Sequence, residues 1–135
     1  MSTPAHKNPT IIANGLASLE EINDLCRSLH YAALLTDDGF EVVSLPGTRV
    51  QGSRMASMAS SMQALSDAVA REVKIGSSEY IIIAAEKGYV IQLRIPGETL
   101  VLSAMFGDSE TLGKALSVSR LASTKMAALM SSATA

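Results

Sequence analysis

A chain of 135 residues has room for one compact domain and one core, and 47% apolar against 18% charged residues set it apart from disordered compositions. A net charge of -2 with 4% aromatic residues excludes the basic, ring-rich surface of a nucleic-acid binder. Cys26 is alone, so no internal disulfide can form, and no run reaches the roughly 20 apolar residues of a membrane span.

The first fifteen residues, MSTPAHKNPTIIANG, lack the apolar core of a secretory signal and read as a flexible segment, 1–15, ahead of a domain over 16–130. A cytoplasmic location without membrane insertion is expected. Leu16, Leu19, Ile22, Cys26 and Leu29 fall at helical spacing, with Ser18 and Glu21 as a capping box. Two strand-like runs, 30–36 and 40–45, flank Asp37-Asp38-Gly39, a strong hairpin signal because glycine accepts the positive φ of such turns. Pro46-Gly47 then breaks the pattern.

From about Arg49 to Ile75 no proline interrupts, and a long second helix is predicted. Its large side chains, Met55, Met58, Met62, Leu65, Val69 and Val73, form a stripe suited to packing on a sheet or another helix. A second row, Ser57, Ser61, Ala64 and Ala68, is small enough for another backbone to approach. Three more strands follow at 79–85, 89–95 and 99–106, joined by turns too short for a crossover, hence an antiparallel meander. Asp108 or Ser109 caps a third helix whose buried side is marked by Leu112, Leu116, Ala122, Met126, Leu129 and Met130, ending in a fraying tail, 131–135.

The order implies an α/β (α+β) three-layer fold with the sheet in the middle. Strands two and four carry polar residues, Glu41 and Ser44 on one, Gln92 and Arg94 on the other, and can tolerate some water. If strand five is central, the apolar run Tyr80, Ile81, Ile82, Ile83 and Ala84 becomes a sheet edge, a hazard that a second chain pairing there removes. The alternative, strand three interior and strand five at the edge, stays open on the residues alone.

Three phrases in this order and spacing, AALLTDDGFEVVS, MASMASSMQALSDAVAREV and YIIIAAEKGYVIQLRIPGETLVLSAMF, resemble the roadblock family, in particular its bacterial branch of gliding-motility regulators. The resemblance implies a five-stranded antiparallel sheet ordered 2-1-5-4-3, helix two on one face and helices one and three on the other. It implies a homodimer through strand three (Tyr80 to Ala84) and helix two, where Ser57, Ser61, Ala64 and Ala68 would face the partner. It also implies a role in scaffolding or control of a Ras-like small GTPase, without substrate turnover.

No motif argues for catalysis. GDSETLGKA opens the third helix but has the wrong glycine spacing for a phosphate loop, and Ala115 stands where a magnesium-binding hydroxyl belongs. Cys26 and His30 are too few for a zinc site, and no serine lies in G-x-S-x-G. No cofactor or metal is expected. The charged residues Asp67, Arg71 and Lys74, with Arg54, read as a solvated strip that could flank a docking surface. Arg49, Arg54 and Arg71 are available as an arginine finger, and nothing singles one out. Two other roles fit the residues: an assembly module pairing with a different roadblock-like chain or a sensor kinase, and, by fold analogy alone, a small-molecule sensor.

Overall fold

Helix formation begins at Pro9 rather than at residue 16. The computed structural model describes residues 3–45 and 52–134, and a 3-10 turn, Ala5–Lys7, leads into helix α1, Pro9–Leu25. Proline at the first helical position has no amide to lose, and the Asn8 side chain accepts from the amides of Thr10 and Ile11, so the cap is here. Ser18 and Glu21, expected to form a capping box, lie inside the helix. Ile11, Leu19 and Ile22 form its buried side, and Gly15 lets it settle close: a Cβ there would stand 2.9 Å from Leu34 Cδ2.

Strands β1 (Leu29–Thr36) and β2 (Glu41–Leu45) are joined by the expected turn, with Gly39 at φ +93°. Thr36 holds it shut, its Oγ1 accepting from the Phe40 amide at 2.9 Å. Helix α2 runs Gly52–Glu72, followed by β3 (Ile81–Ala85), β4 (Gly88–Arg94), β5 (Leu100–Gly107) and α3 (Leu112–Thr134). The Pro46-Gly47 break and the helix start placed at Arg49 lie outside the described residues. Thr111, not Asp108 or Ser109, caps α3, its hydroxyl accepting from the Lys114 amide at 3.2 Å. The helix continues through Thr134, into the segment expected to fray.

The five strands form one antiparallel sheet in the order β2-β1-β5-β4-β3. β5 is therefore central, and β3 is an edge bonded to β4 alone, which excludes the arrangement with strand three inside. Alternation divides the side chains between two faces. Ala32, Leu34, Ile91, Leu93, Leu102, Ala104 and Phe106 join Leu19 and Ile22 of α1 and Met126 and Met130 of α3 in the main core. Tyr31, Ala33 and Leu35 meet Ala56 and Ala59 of α2 on the opposite face. Leu129, expected in the core, is 42% exposed.

Most of the large row of α2 faces away from the sheet; only Met55 packs against the cluster beneath the helix, and Met62 is half-buried. Met58, Leu65, Val69 and Val73 are exposed, while Ala56, Ala59, Gln63 and Ala70 are buried. The sheet beneath α2 presents Gln92 and Arg94, which find acceptors in the Ala59 backbone carbonyl and in the side chains of Gln63 and Asp67; methionine or leucine at 63 and 67 would offer no comparable acceptor.

Candidate functional site

The seat of α2 is polar. Gln92, wholly buried on β4, donates through Nε2 to the Ala59 carbonyl at 2.9 Å and to Gln63 Oε1 at 3.4 Å. The expectation that Gln92 tolerates water is thus overturned: a helix carbonyl, not solvent, answers its amide. Ser60 Oγ donates to the Asp37 carbonyl at 2.7 Å, tying the helix to the β1–β2 turn. Arg94 Nη2 lies 3.2 Å from both Asp37 Oδ1 and Asp67 Oδ2. Burial works against the charge of this guanidinium, but the hydrogen bonds and charges of Asp37 and Asp67 outweigh it and raise its pKa. Tyr31, near the helix's N-terminal half, donates to Glu41 Oε1 at 3.3 Å; burial, then the Glu41 charge, pushes its phenol up to about 12.

This seat turns the large side chains of α2 outward and toward the β3 edge. Between helix and edge lies an open apolar groove of about 580 Å³, whose walls include Met62, Leu65, Val69, Ile75, Tyr80 and Ile81. Leu65 is 67% and Ile75 75% exposed, too much apolar surface in one place to ignore. On the same face of the sheet, Ile83, Val90 and Met105 line a second hollow of about 240 Å³ with His30 at its rim. His30 reaches that rim because the β1–β5 register shifts between Leu29 and Tyr31, and such bulges re-aim a side chain.

Of the residues singled out in the sequence, Tyr80, Ile81, Ile82, Ile83 and Ala84 do fall together on or just before the edge strand. Ile81 and Ile82 are half-buried; Ile82 also packs against the main core. Ser57, Ser61 and Ala64 are exposed and Ala68 is half-buried. At 100° per residue their row sits on the flank of α2 away from the groove, so the structure brings the large row, not the small one, beside β3. Asp67 turns inward to Arg94 and accepts from Gln63 Nε2 at 3.2 Å. Arg54, Arg71 and Lys74 remain exposed, with Lys74 leaving the helix at φ +59°. Sequence reasoning missed the link between Arg94, Asp37 and Asp67; an arginine two residues from Gln92, on the same side of strand β4, was its one visible sign.

Among the described residues, no three His, Cys, Asp or Glu side chains gather to hold a metal ion, and no helix is long and apolar enough to cross a membrane. Cys26 is wholly buried; burial, then the nearby Glu110 carboxylate, pushes its thiol up and away from nucleophilic use.

No protein-family model matches this sequence, and no curated protein matches it. Solved structures do. Myxococcus xanthus MglB superimposes with a TM-score of 0.82 at 16% identity, covering 90% of each chain. An MglB structure with a tetrameric arrangement gives 0.79 at 17% identity, over 96% of this chain and 92% of that one. A Roadblock/LC7 domain from Streptomyces avermitilis gives 0.66 at 16% identity, over 86% and 91%. Sheet order and these neighbours agree: the chain has the roadblock fold, in a form similar to MglB.

Proposed function

We propose that the chain is a non-catalytic regulator, a cytoplasmic homodimer that binds a Ras-like small GTPase and modulates its nucleotide state or location. One observation carries the dimer: the apolar edge β3 is continuous with an open groove beneath the exposed row of α2. Leu65, Val69 and Ile83, still 67%, 54% and 43% exposed, would contribute roughly 5–10 kcal/mol once doubled by two-fold symmetry. That is comparable with an association cost of about 4–15 kcal/mol. The balance leaves ladder hydrogen bonds at the edge to tip it, so the dimer depends on concentration. A structural neighbour with a tetrameric arrangement supports self-association.

The likeness of the fold to MglB supports the regulatory role. Exposed Arg54, Arg71 and Lys74 surround the outer side of α2 and offer charge to an acidic partner surface. A regulator of this kind acts only through its different affinities for the two nucleotide states. Small GTPases from the same genome, loaded with GDP or a GTP analogue, are therefore expected to bind the purified dimer unequally. Equal or absent binding across the set would overturn the role. Ile83→Lys, at an exposed edge position, is expected to yield a folded monomer in sedimentation; an unchanged dimer would place the interface elsewhere.

A further inference from the structure

One corner of the sheet, on the α2 side, is built from glycines. Gly88 and Gly107 stand opposite each other where β4 pairs with β5, and Ala85 of β3 faces Gly88 from the other side. Neither glycine can take a side chain without movement. A Cβ on Gly88 would run into the Phe106 carbonyl, and one on Gly107 would stand 2.8 Å from His30 Nε2. The bulge in β1 thus sets the His30 ring over Gly107, in the space that glycine leaves open.

This bare backbone is part of the second hollow, about 240 Å³, together with Ile83, Val90 and Met105. The volume falls below the roughly 300 Å³ at which pockets for drug-sized ligands begin, so a single ring fills it. Two facing residues without Cβ atoms let a flat group settle on the peptide planes, and the Met105 thioether offers a sulfur contact that favours an aromatic one. Charge narrows the choice further. Lys87 and His30 line the hollow, and no carboxylate does. They flank the glycine pair, because His30 covers Gly107 and Lys87 directly precedes Gly88. Glu86, the neighbour of Lys87 in the turn, is exposed and does not line the hollow. Among the described residues, neither Lys87 nor His30 takes part in an ion pair.

We propose that this hollow binds a small aromatic carboxylate. Its ring lies on the Gly88 and Gly107 backbone against Val90 and Met105, and its carboxylate accepts from Lys87 and His30. Such a site lies outside the GTPase-regulating role proposed above and does not depend on it. It would set a small-molecule input beside the β3 edge, since Ile83 forms one wall.

Benzoate titrated into the dilute full chain tests the site, with the amide signals of Gly88 and Gly107 and the Met105 methyl signal followed by NMR. Saturable ring-current shifts at all three, with a millimolar or tighter dissociation constant, are expected. Cyclohexanecarboxylate, charged but not flat, and benzyl alcohol, flat but uncharged, should each bind about tenfold more weakly. Lys87→Met should weaken benzoate roughly fivefold, as loss of one partly exposed ionic contact does. Gly107→Ala raises the floor and displaces only the far end of the His30 side chain, so it should cut binding about tenfold while the unfolding transition stays in place. No saturable shift, or shifts at Leu65 and Ile75 in place of the glycines, would overturn the site. Benzyl alcohol binding as tightly as benzoate, or a Lys87→Met chain binding as tightly as the parent, would overturn the acid as its ligand.

Discussion

The two faces of the sheet are built on opposite terms. Under α1 and α3 the packing is apolar and closed: Phe106, Leu102, Met126 and Met130 are wholly buried. Under α2 the contact is made by alanines and Met55, with Gln92, Gln63, Arg94 and Asp67 hydrogen-bonded across it, while Met58, Leu65 and Val69 of the helix are exposed. One face spends its apolar residues on the fold. The other holds its helix by directed polar bonds and keeps apolar surface available, which is what a platform for other chains requires.

That division predicts unequal responses to substitution. Phe106→Ala removes a ring from the closed face and is expected to destabilise the folded chain by about 3–5 kcal/mol, measured by denaturant unfolding, because a cavity remains where it stood. A loss below about 1 kcal/mol would mean that this face is not the close-packed one. The α2 face should instead reveal itself through pH. Tyr31 has its pKa raised from 10.0 to about 12. Below pH 10 the phenol is neutral in both folded and unfolded chains, so it contributes no pH dependence there. Between about pH 10 and 12 the unfolded chain ionises first, and stability falls by about 2–3 kcal/mol in total. Tyr31→Phe is expected to lack this part of the alkaline loss; an identical profile would show that the phenol is not held neutral beneath the helix.

The contrast between the faces was only half legible in the residues. Turns announced themselves: Asp37-Asp38-Gly39, Glu86-Lys87-Gly88 and Pro96-Gly97-Glu98 separate the strands as the sequence suggests, except that Gly88 already opens β4, and Gly39 and Gly97 both take positive φ. Apolar runs did not by themselves identify the interior strands: β1 and β5 are interior, but the equally apolar β3 is an edge and β4, with Gln92 and Arg94, is interior. The start of α1 was hidden because Asn8 and Pro9 sit among small polar residues that resemble a tail. The rotation of α2 was hidden for a deeper reason. Helical periodicity marks an apolar row but not the surface it meets, and only the buried amide of Gln92 and the guanidinium of Arg94, two strands later in the chain, decide that the alanine side faces the sheet. The edge was readable because the meander leaves one strand unpartnered once β5 is central; the groove was not, because it depends on that same rotation.

The smallest expected change in fold stability is at the most exposed large residue of α2, and it distinguishes the faces best. Leu65 is 67% exposed and lines the groove rather than the sheet contact. Leu65→Ser should therefore alter unfolding of the dilute chain by no more than about 0.5 kcal/mol, as surface substitutions do. The same change should weaken dimerisation at least tenfold, since burying each of the two leucines would contribute on the order of 1–2 kcal/mol. Sedimentation at several concentrations reads the second effect, and denaturation at low concentration the first. A variant that unfolds several kcal/mol more easily as a monomer would mean that in solution α2 rolls its large row onto the sheet. The open face would then be a closed one, and the groove would have no partner to receive.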